Sequence, residues 1–339
     1  MANVFPAYVQ AHPSFMMPEV VLQYQQASGF AESLAGREVL PRLGEGDLAV
    51  YGKALELRTQ VAGGQVAYNA LPSVTLVAHQ FSTPTYLWRV RAEYDHHDMS
   101  QAAQWGVALA EAQRMGMRQA IFQQVRTAAL FGSGATGEGL LNTAGATTVN
   151  LPADSSGNTT ISTYDNGQMA LFLLSQIAAL KVRTNLMGMG VRINILTSQQ
   201  IDAAWDYQGV VQLTQFQRNG AGVETTAGMV ADIAKRQGDE VTFTVDDTLK
   251  GAAGGGADYI IINMPEVKKP ASQNRINTNI FADLQPSLTG AAVQLCDMVA
   301  PKEIQCPLPG GASDVLAELR STSGWGIRPE TITIITATY

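Results

Sequence analysis

Residues 98–131 read DMSQAAQWGVALAEAQRMGMRQAIFQQVRTAALF, 34 positions without a proline. Good helix formers dominate, so one long helix is expected, capped at its start by Asp98 or Ser100 and ended by Gly132. At 1.5 Å per residue such a helix is roughly 50 Å long. It has no single apolar stripe: Trp105, Leu109, Met115, Met117, Ile121, Phe122 and Val125 point in several directions. A helix apolar on most sides is covered on most sides. Gly106 and Gly116 weaken it or permit a bend.

On the N-terminal side, residues 48–94 have the two-residue period of strands. Leu55, Leu57, Thr59 and Val61 alternate with Glu56, Arg58 and Gln60; Gly63-Gly64 signals a turn, and Gln65–Tyr68 resumes the pattern. A third strand is expected over Tyr86–Tyr94, with Trp88, Val90 and Ala92 opposite Arg89, Arg91 and Glu93. A two-stranded ribbon is marginal by itself in water, so this hairpin needs a partner surface. Residues 1–47 are broken by Pro6, Pro13, Pro18 and Pro41, with a short helix expected at Glu19–Ser33. The remainder reads as an extended arm. Phe5, Phe15, Met16, Val20, Val21 and Leu22 argue against a solvated tail.

On the C-terminal side, residues 132–163 read as loop, followed by a helix at about 165–187 with Met169, Phe172, Leu173, Ile177 and Leu180 on its apolar side. Lys181 and Arg183 fall near its C-terminal end, where cations are favoured, and Gly188 terminates it. Strands are expected at Val191–Leu196, Glu240–Val245, Tyr259–Asn263, Val293–Met298 and Thr331–Tyr339. Ser198 caps a short helix reaching Tyr207, and glycines at 251 and 254–256 form a loop. The order is arm, hairpin, long helix, mixed region and closing strands. That is an α+β chain, not the alternating β-α pattern of a doubly wound enzyme.

Charged residues make up 15% of the chain and apolar residues 46%. So few charges fit either a charge-poor soluble protein or one whose surface largely faces protein. A net charge of −7 and the absence of a dense basic run make direct nucleic-acid recognition a poor fit, with Lys268-Lys269 before Pro270 reading as a solvated loop. Two cysteines, Cys296 and Cys306, do not make a disulfide framework; free buried thiols in a reducing cytosol are expected. The opening MANVFPAYVQAHPSF lacks the charge and apolar core of a secretion signal, and no apolar run is long enough for a membrane helix.

No catalytic, cofactor or metal site is expected. Gly132-Ser-Gly-Ala-Thr-Gly137 resembles a phosphate loop, but Glu138-Gly139 follow where Lys-Ser/Thr is required, and the segment follows a helix rather than a strand. His96-His97-Asp98 offers adjacent side chains that diverge, with no third ligand at a recognisable spacing; only His12 and His79 occur elsewhere. No Gly-x-Ser-x-Gly elbow exists, and Asp246-Asp247 reads as a solvated turn. Trp88, Trp105, Trp205 and Trp325 are ordinary core candidates. Trp88, on the ribbon, is the best candidate for an intersubunit anchor, and Lys53, Arg58 and Arg89 are the further contact candidates there.

The hairpin, the long helix and a Gly-rich turn carrying Gly139-Leu140-Leu141-Asn142 together resemble the tailed-bacteriophage major capsid protein family, with its Hong Kong 97-type coat fold. Gly324-Trp325-Gly326, with Pro329 and a terminal strand, is similar to the closing part of some branches. The resemblance implies an N-terminal arm at 1–47, and an E-loop hairpin with peripheral strands within 48–97. It implies a spine helix at 98–131, an axial domain with its leading loop at 132–290, and peripheral-domain strands at 291–339. It implies self-assembly into hexamers and pentamers of an icosahedral shell around double-stranded DNA, without sequence-specific binding. Separate scaffolding, portal and decoration proteins would be the partners, with synthesis in the host cytoplasm and residence in the virion. Some members cross-link an E-loop lysine; Lys53 lies in that region, with no partner identified. A nanocompartment shell of the same fold, and a hydrolase with a site in 160–290, are the alternatives.

Overall fold

The structure is a computed structural model that describes residues 43–58, 75–104, 106, 108–133, 139–154, 156–164, 167–184, 190–207, 209–210, 224–265, 293–294, 301–308, 312–323, 325–326 and 328–339. The expected arm up to residue 42, the Gly63-Gly64 turn with Gln65–Tyr68, Lys268-Lys269 and Cys296 lie outside these residues. In chain order, the elements begin with β1 (Ala49–Arg58), β2 (Thr75–Tyr94), α1 (His96–Gln104) and α2 (Leu109–Phe131). They continue with β3 (Thr147–Asn150), α3 (Gln168–Arg183), β4 (Arg192–Thr197), α4 (Gln199–Tyr207), β5 (Gly209–Val210), β6 (Glu224–Thr225), α5 (Thr226–Arg236), β7 (Glu240–Val245) and β8 (Asp258–Asn263). The chain closes with β9 (Val293–Gln294), β10 (Lys302–Pro307), β11 (Ser313–Thr322), β12 (Trp325–Gly326) and β13 (Ile332–Ala337).

Two sheets carry the fold. One has the order β1-β2-β11-β10 and the other β3-β13-β8-β4-β7. In the first, the 20-residue β2 does two jobs. Its outer half pairs with β1, from Arg58↔Thr75 to Ala49↔Pro84. Its inner half pairs with β11, from Thr85↔Thr322 to Tyr94↔Ser313. The expected third strand over 86–94 is therefore the continuation of the hairpin's return strand, not a separate element. Ten paired residues make a ribbon roughly 33 Å long.

The long helix is broken. α1 ends at Gln104, Gly106 has a left-handed φ of 70°, and α2 restarts at Leu109 with no side-chain cap on Ala108. Only glycine takes that backbone conformation cheaply, so Gly106 supplies the break. The uninterrupted part is 23 residues, about 35 Å, instead of 34. It ends where expected: Gly132 has φ 80° and its N–H bonds the Ala128 carbonyl.

α2 spans two cores. Met117, Ile121 and Val125, spaced four apart, pack with Trp88, Val90, Tyr94, Val315, Ala317 and Leu319 of the first sheet. Further along, Ala129 and Leu130 join Leu140, Leu196, Leu249, Ile261, Ile332 and Ile334 on one face of the second sheet. The other face of that sheet, through Ile193, Ile195, Ile260, Ile262 and Ile335, is covered by α3, α4 and α5 with Trp205 fully buried. Both faces being covered explains the unbroken apolar run Ile260-Ile261-Ile262.

The closing strand lies apart from β10 and β11: Ile332–Ala337 runs parallel to β3 and antiparallel to β8, inside the second sheet. Its β-branched, nearly alternation-free sequence needs a site buried on both faces, which only that sheet provides. Two polar links are buried. Lys181, near the C-terminal end of α3, donates from its Nζ to both Asp239 oxygens at 2.9 and 2.8 Å. Asp246 is no solvated turn: it is 1% exposed and caps the turn at Asp247–Leu249. It also pairs with Arg126 of α2 at 3.2 Å, tying the helix to the second sheet.

Candidate assembly interface

The GLLN turn works as a clasp on the end of α2. A Cβ on Gly139 would meet the Gly132 nitrogen at 2.3 Å and the Leu130 oxygen at 2.6 Å, so only glycine fits against that backbone. Leu140 is fully buried in the core between the end of α2 and the second sheet. Asn142 Nδ2 then donates to the Phe131 carbonyl at 2.9 Å, one of the acceptors a helix end leaves open. The GWG segment meets the same clasp: a Cβ on Gly326 would lie 2.6 Å from Ile332 Cδ1 and 2.9 Å from Thr143 Cγ2. The GWG segment thus packs against Thr143, the residue that follows GLLN, while the GLLN clasp locks α2 to the second sheet.

The first sheet has one apolar and one charged face. Trp88, Val90 and Ala92 turn toward α2. Trp88 Nε1 donates to the buried Ser321 Oγ at 2.8 Å, so its ring is held within its own subunit. The ring stays partly exposed beyond that bond. Arg89 and Arg91 turn the other way. Arg89 pairs with Glu318 at 2.8 Å directly across the strands, and Arg91 with Asp314 at 2.8 Å on the diagonal. Lys302 pairs with Glu45 at 2.8 Å. The hydrogen bond with Asp314 raises Arg91 above its usual value, and that with Glu45 raises Lys302. Solvent screens exposed pairs of this kind, so they orient the face more than they stabilise it. The side chains of Lys53 and Arg58 lie outside the described residues, although both backbones are in the ribbon, opposite Gln80 and Thr75.

On the edge beside α2, Glu303 gathers two arginines, Arg114 at 3.3 Å and Arg118 at 2.7 Å. Nothing in the spacing of these residues announces this contact, because β10 and α2 meet only in the fold. Large apolar side chains stay uncovered at the ribbon base, Leu48 at 76% and Tyr51 at 69%, and on α2, Met115 at 50%.

The chemically suggestive groups are placed as follows. Residues 134–138 of the glycine-rich segment lie outside the described residues. His96 and His97 do not diverge: their ring centroids are 3.9 Å apart, because Asp95 Oδ1 holds His96 Nδ1 at 2.6 Å. Asp95, His96 and His97 bring ligand-type atoms within 4.8 Å of one another. Asp95 also accepts from the His96 backbone N–H at 2.6 Å, a helix-start contact, and the positive end of a helix favours anions over cations. Cys306 is free and exposed on β10, against the expectation of a buried thiol. No helix among the described residues is long and apolar enough to cross a membrane.

Residues 62–214 match the family model described as Major capsid protein. None of the curated proteins matches the chain in sequence. Among solved structures, the capsid of Myoviridae phage XM1 superposes with a TM-score of 0.69 at 12% identity, covering 96% of each chain. The Mycobacterium phage Ogopogo structure gives 0.57 at 11% identity, again over 96% of each chain. The capsid of an empty GTA particle gives 0.55 at 11% identity, over 96% of this chain and 95% of that one. At such identity these likenesses are ones of fold: an α+β capsid fold of the Hong Kong 97 type. The match over residues 62–214 is to the major capsid protein family, and the fold of the chain is that of capsid shell subunits.

Proposed function

We propose that the chain assembles into hexamers and pentamers of an icosahedral shell that encloses double-stranded DNA, and that it carries no catalytic activity. One observation carries this reading. The outer half of β2, Thr75–Pro84, pairs with β1 alone among the described residues, and none of its described side chains (Val77, Ala78, Gln80, Ser82, Thr83 and Pro84) enters an apolar core. A two-stranded ribbon of that length is marginal in water unless another surface receives it. Identical neighbours in a shell supply that surface on every subunit. The ribbon residues Lys53 and Arg58 and the exposed Arg89 are the proposed contacts on it. The peripheral unit comprises the first sheet with most of α2. The axial unit comprises the second sheet with α3, α4 and α5, and includes β13. The net charge of −7 supports a container that repels the DNA backbone instead of gripping it.

Synthesis in the host cytoplasm and separate scaffolding, portal and decoration partners belong to the same proposal. Negative-stain imaging and sedimentation of the expressed chain test it: closed shells or capsomers are expected, and a stable monomer at high concentration would overturn it. In particles recovered from infected or producing cells, an absorbance ratio at 260 and 280 nm dominated by nucleic acid is expected. A protein-dominated ratio would point to a nanocompartment instead.

A further inference from the structure

The corner between β2 and α1 gathers three side chains of metal-ligating type. Asp95 stands between the two elements, and His96 and His97 are the first two residues of α1. Successive side chains on a helix splay by about 100°, so neighbouring imidazoles normally point apart. Here their ring centroids are 3.9 Å from each other. The third group precedes the pair instead of following it: one ligand-type atom from each of Asp95, His96 and His97 lies within 4.8 Å of the other two. The corner is open to solvent, with 59% of the His96 side chain and 43% of the Asp95 side chain exposed. Among the described residues no lysine or arginine pairs with Asp95, and the only side chain on its carboxylate is that of His96. Little else holds the helix start, since Ala102 is the one buried residue among those described in α1.

We propose that Asp95, His96 and His97 form a site for one divalent transition ion of the zinc and copper class, which clips the end of β2 to the start of α1. Two imidazoles and a carboxylate suit such ions, whereas magnesium and calcium take oxygen ligands. Bonds of about 2.0–2.2 Å to a tetrahedral ion set its ligand atoms about 3.3–3.6 Å apart. Small rotations of these exposed side chains close the present spread, at most 4.8 Å, to that distance. An ion between His96 Nδ1 and Asp95 Oδ1 takes the place of their direct 2.6 Å hydrogen bond, and the neutral imidazole keeps its one proton on Nε2. Water completes the coordination. The positive end of α1 opposes a cation by no more than about fivefold at an exposed helix start. The Asp95 charge works the other way, and so does that of Asp98, whose Oδ2 accepts the Asp95 backbone N–H at 3.4 Å. This proposal stands apart from the shell-building reading and does not depend on it.

Titration of the full chain with zinc chloride, and with cupric ion for spectroscopy, tests the site. One ion per chain is expected, undisturbed by excess magnesium or calcium. The electron paramagnetic resonance spectrum of the copper-loaded chain should show coupling to two imidazole nitrogens. His96→Gln and His97→Gln should each weaken zinc binding about tenfold or more, at least the loss that follows removal of an outer-shell partner. Cys306→Ser and His79→Gln should bind as the parent does. Deuterium exchange of the α1 amides should slow on zinc binding in the parent and stay unchanged in the double histidine variant. Both histidines are exposed, so the metal-free variants should melt within a few degrees of the parent. The copper spectrum of the parent identifies the ligands without any variant. Unchanged zinc affinity in the double variant overturns the proposal. So does loss of binding on Cys306→Ser, displacement of zinc by magnesium, or a copper spectrum lacking the two nitrogens.

Discussion

Replacing Asp239 by alanine should destabilise the unassembled subunit by about 3–5 kcal/mol, the usual loss when one member of a buried ion pair is removed. The magnitude follows from the geometry. Lys181 is 5% exposed and Asp239 4%. The ammonium reaches both carboxylate oxygens at 2.9 and 2.8 Å, and Oδ1 also accepts the Val191 backbone N–H at 3.0 Å. Asp239→Ala strands a charged ammonium in the interior together with a backbone donor. Lys181→Met should cost somewhat less, because the carboxylate keeps the Val191 contact. The double variant Lys181→Met/Asp239→Leu removes both charges and should cost much less than the sum of the two singles, leaving mainly one unsatisfied N–H worth about 1–3 kcal/mol. Urea unfolding followed by tryptophan fluorescence reads this out, since Trp205 is fully buried in the core that α3 helps to form. The slope against urea should stay unchanged while the midpoint moves. A loss under about 1 kcal/mol for Asp239→Ala is the value of a surface pair and would refute the claim that this link is dry.

Three further outcomes follow from the packing. Gly139→Ala places a methyl against the backbone of residues 130–132 and should cost at least about 1–3 kcal/mol, as overpacking does; an unchanged melting temperature would show that the clasp is loose. Trp88→Phe leaves the buried Ser321 hydroxyl without its donor and should cost about 1–3 kcal/mol in unfolding free energy while shells still form; loss of assembly without loss of stability would instead place Trp88 in the interface. Glu303→Gln should change subunit stability by less than about 1 kcal/mol, with even that difference fading in high salt, because Arg114 and Arg118 are half exposed.

Some elements were legible from residue order because their causes are local. The hairpin of 48–94 shows its alternation, Gly132 stops α2, Ser198 begins α4, and Glu240–Val245 is bounded by Gly238 on one side and Asp246 on the other. The segment 313–322 was not legible. Val315-Leu316-Ala317-Glu318-Leu319-Arg320 is rich in good helix formers, yet it lies as the 10-residue β11 between β2 and β10. Two ladders of backbone hydrogen bonds and a buried face through Val315, Ala317 and Leu319 outweigh a weak local preference. The break at Gly106 was visible only as a permitted bend; nothing local distinguishes it from Gly116, which stays helical.

Of the interface, the sequence alone determined the deficit: few charges, a ribbon that cannot stand alone, and apolar residues around helices where a solvated protein would carry ions. These are properties of composition and period, so they survive without coordinates. Only the tertiary structure decided which surfaces that deficit falls on. Trp88 is taken up by its own subunit, Asp246 and Lys181 are neutralised inside, and the last strand crosses into the second sheet. Burial depends on what lies opposite in space, and partners such as Lys181 with Asp239, or Trp88 with Ser321, stand 58 and 233 positions apart along the chain.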